Sequence, residues 1–134
     1  MFQLLSLSFF LMLSGQNIFA QGSGLRTDGE IFTFVERMPQ FPGGEAEMYK
    51  FLAENIKYPA LARQKKTEGK VIARFVVFED GSVGRAEVIK GVGDGCDEEA
   101  LSVIMMMPKW TPGYQNGVAV RVYFTLPVVY KLSK

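Results

Sequence analysis

Histidine is absent from all 134 residues. That absence removes the commonest general base near neutral pH and the commonest zinc ligand. Cysteine occurs once, at Cys96, so neither an internal disulfide nor a paired-cysteine metal framework can form. Charge of either sign is in near balance, with 15 Lys and Arg against 14 Asp and Glu. Without a basic excess to neutralise phosphates, nucleic acid is not an expected partner. No charge at all falls before Arg26. Within that stretch LLSLSFFLML, Leu4 to Leu13, is apolar but too short to cross a hydrocarbon core of about 30 Å as a helix. It fits the apolar region of a secretory signal peptide over residues 1–20, with a polar break at Ser14 to Asn17 and then Ile18-Phe19-Ala20. Cleavage after Ala20 is expected, leaving Gln21 first and the chain exported. The alternative is a short retained anchor, which would hold the chain at a membrane.

What remains is long enough for one domain with a real core. Residues 21–35 open on Gly and Ser and read as a brief linker, ending in the β-prone run Ile31 to Val35. In MPQFPGGEAEMYKFLAENI the prolines and Gly43-Gly44 mark a turn. From Glu45 onward Met48, Phe51, Leu52 and Ile56 recur at helical spacing. Pro59 disfavours helical geometry at Tyr58 and suits the first position of a second short helix. GKVIARFVVFEDGSVGRAEVIKGV reads as a hairpin turning at Asp80-Gly81, with Val83 to Val92 returning. GVGDGCDEEALSVIMMMP then gives a loop and a helix that Asp94 or Asp97 can cap and Pro108 stops. Between Gly117 and Pro127 apolar and polar residues alternate as one last strand, with Val118, Val120, Val122, Phe124 and Leu126 on its core side. The order implies an α+β fold in which a crossover helix lays the helical segments on one face of a small sheet.

Sites for chemistry are scarce. The glycines of GVGDG precede a helix, but Asp94, Asp97, Glu98 and Glu99 crowd the place an anion would occupy, and no Gly-Lys-Ser/Thr follows. EDGS and DGCDEE lack the alternating oxygen ligands of a calcium loop. Cys96 has no histidine to activate it and acidic neighbours that raise its pKa, so it reads as a small buried apolar residue. Trp110 reads as a core anchor, and Met105 to Met107 as core or partner contacts. No metal, cofactor or catalytic group is expected. A binding module is the reading left.

MPQFPGG, NIKYPALA, EGKVIARFVVFEDGSV, GCDEEAL, MPKWTPGYQNG and VRVYFTLP, in that order, resemble the C-terminal domain of TonB in the form common among Bacteroidota. The resemblance covers residues 36–132. It implies two helices packed on one face of a three-stranded antiparallel sheet, with the first strand central and the last at an edge. It also implies a partner. Family members grip the TonB box, a short N-terminal peptide of outer-membrane TonB-dependent transporters, which adds a strand to that edge and couples transport to energy from the inner membrane. Carried onto this chain, the contacting residues are Asn55, Ile56, Lys57, Tyr58 and Pro59, together with Val118, Val120, Arg121, Val122, Tyr123, Phe124 and Thr125 on an edge from Val118 to Leu126. Full-length transducers add a membrane helix, with a histidine that engages the motor, and a proline-rich spacer. This chain shows neither, so contact with the ExbB–ExbD proton motor is expected only if its N-terminus stays anchored.

Two rival readings use the same residues. A secreted structural module would pair the edge strand with that of a second copy, giving a homodimer. A small enzyme would need Glu79, Asp80, Asp94 and Asp97 to converge on one pocket.

Overall fold

The computed structural model describes residues 29–133. The chain divides into two compact units, Met1–Ile31 and Phe32–Lys134. The expected signal peptide and most of the expected linker lie outside the described residues.

In the second unit, Gly43 and Gly44 both take positive φ and turn the chain into helix α1 (Glu45–Asn55). Met48 and Leu52, one turn apart, are its buried residues, and Phe51 and Ile56 pack against the same core. The helix ends where Ile56 becomes extended. Pro59 then caps helix α2 (Ala60–Lys65), one residue ahead of the first helical position expected for it. Lys66 closes α2 in the left-handed conformation.

Strands β1 (Gly69–Val77) and β2 (Val83–Lys90) form the expected hairpin. Helix α3 (Cys96–Met105) follows and packs against β2 and β1. The chain then returns as β5 (Val122–Tyr130) on the other side of β1. The sheet order is β2-β1-β5 and every pairing is antiparallel, which is the α+β architecture expected, with the first strand central and the last at an edge. Its core lies on one face. Val71, Ala73, Phe75 and Val77 from β1 and Leu126, Val128 and Tyr130 from β5 meet Met48 and Leu52 of α1, Ala62 of α2, and Cys96, Ala100, Val103 and Ile104 of α3. Trp110 anchors one end of this core, with ring centroids 4.9 Å from Phe124, 5.5 Å from Phe75 and 5.7 Å from Phe41.

Two expectations are corrected. The stretch from Gly117 to Pro127 is not one strand. Asn116 and Gly117 both adopt positive φ, the requirement of a two-residue hairpin turn. They fold β3 (Gly113–Gln115) onto β4 (Val118–Val120) as a separate two-stranded sheet. The hydrogen-bond partner changes at Arg121, and Val118, expected on the core side, is 57% exposed while Val120 is buried. The main-sheet strand also continues beyond Pro127 to Tyr130. The second correction concerns the cap of α3. Neither aspartate caps it; Gly95 stands at that position with no side-chain bond. The Asp97 carboxylate instead turns back to accept the N–H groups of Val92 (2.9 Å) and Gly93 (3.2 Å). Asp94 accepts from the Thr67 hydroxyl and from Lys65. Both carboxylates staple the loop before the helix.

Candidate functional site

An edge strand offers one row of backbone groups to its neighbour and a second row outward. Which residues of β5 face outward follows from two bonds. The Phe32 N–H donates to the Arg121 carbonyl (2.8 Å) and the Tyr123 N–H donates to the Phe32 carbonyl (2.8 Å). Phe32 therefore sits beside Val122 as a one-residue parallel bridge, and Tyr123 presents its backbone away from β1. Outward and inward residues alternate along an antiparallel ladder. Thr125, Pro127 and Val129 thus face outward, while Phe124, Leu126, Val128 and Tyr130 bond to β1. Among the described residues no strand pairs with β5 on that side beyond Phe32. The open row runs from the Tyr123 carbonyl through Thr125 to Val129. Pro127 falls in this row, where its missing N–H costs the β1–β5 ladder nothing, which is why the strand can run through it.

The N-terminal segment has a further fastening. Arg37 and Tyr114 exchange backbone bonds (3.1 and 2.8 Å), and Gln40 and Thr111 do the same (3.0 and 2.8 Å). The segment from 37 to 40 thereby pairs with the chain just before and within β3.

On the core side of the sheet, α1 and β5 leave a cavity of about 190 Å³. Tyr49, Leu52, Ala53 and Ile56 of α1 line it, with Pro127, Val128 and Val129 of β5. A second cavity of about 210 Å³ lies farther up the same helix and strand, between Phe41, Met48, Trp110 and Phe124. Trp110 is 4% exposed, and its indole N–H has no acceptor among the described residues.

The residues singled out in the sequence fall into three groups. Asn55, Ile56, Lys57, Tyr58 and Pro59 form the joint between α1 and α2. Asn55 Nδ2 donates to the Phe51 carbonyl (2.8 Å), and the Lys57 N–H donates to Glu99 Oε2 (2.9 Å). The Tyr58 hydroxyl donates to the Thr67 carbonyl, and its ring meets that of Tyr130 edge-on at 5.5 Å. This joint adjoins the far half of β5, where Ile56 shares a cavity with Pro127 to Val129. A second group, Val122, Tyr123, Phe124 and Thr125, lies on β5. Val122 and Phe124 face the core side. Tyr123 faces the other way, with the Arg74 guanidinium 4.1 Å from its ring centroid. Val118 and Val120 form a third group in β4, opposite Gln115 and Gly113 and off the open row. Arg121 stands between the two sheets and ion-pairs with Glu79 at 3.1 Å. Of the residues lining this cavity, Tyr49, Ala53 and Val129 were not singled out in the sequence. Helical spacing places Tyr49 and Ala53 on a common side of α1 one turn apart, but only the fold sets that side beside β5.

The four acidic residues an enzyme would need do not converge. Glu79 pairs with Arg121, and Asp80 accepts from the Ser82 hydroxyl (2.7 Å) and N–H (2.9 Å). Asp94 and Asp97 serve the loop at the opposite end of the hairpin, after β2. Burial and the neighbouring Asp97, Asp94 and Glu98 raise the Cys96 thiol above its usual pKa, so it is held protonated at neutral pH.

Comparison with known proteins adds a family. The one described as Gram-negative bacterial TonB protein C-terminal matches residues 54–132. Two NMR solution structures of the Helicobacter pylori TonB C-terminal domain have this fold. The longer is 25% identical, spans 69% of this chain and 88% of that one, and superimposes with a TM-score of 0.51. The shorter is 24% identical over 66% and 94%, with a TM-score of 0.50. No protein of curated function matches the chain.

Proposed function

The chain belongs to the family of the Gram-negative bacterial TonB protein C-terminal domain, and from that premise we propose that it is a periplasmic module that captures the TonB box of outer-membrane TonB-dependent transporters by strand addition, in support of energy-coupled transport. The observation that carries this reading is the open outward row of β5 from the Tyr123 carbonyl to Val129, on a strand paired to β1 along its whole length. Such a row is satisfied by an extended peptide. Its affinity comes from main-chain hydrogen bonds and its selectivity from alternate side chains. Each bond contributes a net of about 0.5–1.5 kcal/mol. A row this short, interrupted at Pro127, therefore grips modestly and releases readily, as a transient coupling requires. The joint from Asn55 to Pro59 lies where a captured strand would pass the end of α1, and Arg121 and Tyr123 lie at the other end of the row.

Titration of the ¹⁵N-labelled protein with TonB-box peptides tests the proposal. Amide shifts at Thr125 and Val129 that saturate with millimolar peptide support it. An unchanged spectrum along β5 overturns it. Sedimentation at several concentrations separates the homodimer reading, which requires a dimer that persists at micromolar protein and excludes the peptide.

A further inference from the structure

We infer that a strand captured on the open edge of β5 is recognised chiefly by one apolar side chain, seated in the cavity between α1 and β5 and lying directly opposite Val128. This inference rests on the strand-addition reading and specifies the peptide that the edge selects.

The register fixes the position. Val128 bonds to Val71 of β1 and points its side chain into the core, where it is 3% exposed. Directly opposed residues of neighbouring strands point their side chains to the same face. A residue of an added strand opposite Val128 therefore points toward α1, whether that strand runs parallel or antiparallel. Val128 turns its own backbone groups to β1, so an antiparallel partner meets it in a pair without mutual hydrogen bonds. Such pairs bring the side chains closest. What stands at that place is the cavity of about 190 Å³ walled by Tyr49, Leu52, Ala53 and Ile56. An apolar cavity of about 150 Å³ accepts one benzene ring, so there is room here for one branched or aromatic side chain.

The positions of the added strand that bond to the open row carry less. Residues opposite Thr125, Pro127 and Val129 make the main-chain bonds and point away from the helices. There Arg74 lies over Tyr123 and pairs with Glu87 (2.9 Å), on a face that no helix covers among the described residues. The position opposite Val122 is already held by Phe32. Opposite Val128, an apolar side chain gains contact on several sides and removes the exposed faces of Tyr49 and Ala53 from water. Unlike the main-chain row, which any extended peptide satisfies, this contact tells one sequence from another.

The experiment uses the ¹⁵N-labelled full chain and a host peptide of alternating Ser and Thr with one guest position, carrying Ala, Leu, Phe or Asp and moved along the peptide. At a single guest position, Leu or Phe is expected to tighten binding about tenfold over Ala, as burial of a large apolar side chain predicts. Asp at that position weakens binding below Ala. Ala53→Phe fills the cavity from an exposed position on α1 and abolishes the Leu preference, while the Ala peptide still shifts Thr125 and Val129. The amide dispersion of the variant confirms that it is folded, and Ala53→Leu repeats the test more gently. Equal binding of Ala, Leu and Phe peptides at every position, with shifts at Thr125 and Val129, overturns the anchor and leaves strand addition standing. A Leu preference that persists in both Ala53 variants also overturns it. If no peptide shifts Thr125 or Val129, strand addition itself fails and the anchor with it.

Discussion

At the scale of single residues, the fold depends on a few positions whose chemistry cannot be exchanged. Gly81, at the tip of the β1–β2 turn, has φ of 88° and is buried. Its carbonyl accepts the Trp110 N–H at 2.8 Å, and a Cβ built on it would collide with the Trp110 carbonyl. Positive φ strains an alanine by about 1–2 kcal/mol before any clash is counted. Gly81→Ala should therefore cost about 2–4 kcal/mol in a urea unfolding experiment, in line with other strained backbone sites; a cost under about 1 kcal/mol would contradict the close approach. Asp94 is a second such position. Its hydrogen bond from Thr67, and then the charge of Lys65, hold its carboxyl below the usual carboxylate range against the opposing pull of desolvation. A depressed folded pKa gives stability that is fully present above the unfolded value of about 4 and lost as pH falls through the folded value. The difference in urea midpoint between the wild type and Asp94→Asn should thus be largest at neutral pH and shrink as pH falls below the unfolded value of about 4. A difference that grows on acidification would reverse the assignment.

At the scale of elements, the working surface is decided by which way one strand turns its backbone. β5 is locked in continuous register with β1 from Gly69↔Tyr130 to Val77↔Val122, and the Phe32 bridge sets the parity of its free side. Pro127 then plays two parts. It tolerates the outward row because that row lacks a partner strand, and it limits what can add there by withholding a donor, as edge prolines do. Pro127→Thr restores the donor. It should tighten peptide binding about two- to tenfold, the worth of one net hydrogen bond, and raise self-association in sedimentation runs. Unchanged affinity would mean that the added strand does not reach Pro127. Helix α1 matters for the same surface. Its Met48 and Leu52 hold it to the core while Tyr49 and Ala53, on its exposed side, wall the cavity beside the edge.

At the scale of the whole molecule, the groups weighed as catalytic candidates all have structural surroundings. The acidic groups serve loops and the single thiol is buried and protonated. Among the described residues no helix is long and apolar enough to cross a membrane. The export reading concerns the residues before these, and mass spectrometry of the chain recovered from a periplasmic fraction tests it. A first residue of Gln21 is the expected result; an intact Met1 would instead favour the anchored form and with it contact with the proton motor.

Much of the fold was legible in the sequence because its signals are local. Helical spacing from Met48 to Ile56, the Asp80-Gly81 turn, the alternation along β1 and the burial of Cys96 and Trp110 each depend on residues a few positions apart, or on apolar character alone. Asn116-Gly117 was legible too, as a two-residue turn between β-prone residues. The unbroken alternation from Val118 to Leu126 masked it, since periodicity does not register a change of partner at Arg121. The tertiary structure alone decided which backbone row of β5 is open and where it begins. That depends on Phe32 bonding to Arg121 and Tyr123, residues distant in sequence, and on α1 coming to rest beside Val128. A side-chain pattern says which face of a strand is buried. Only the partners that the fold brings alongside say which of its hydrogen bonds are left for another chain.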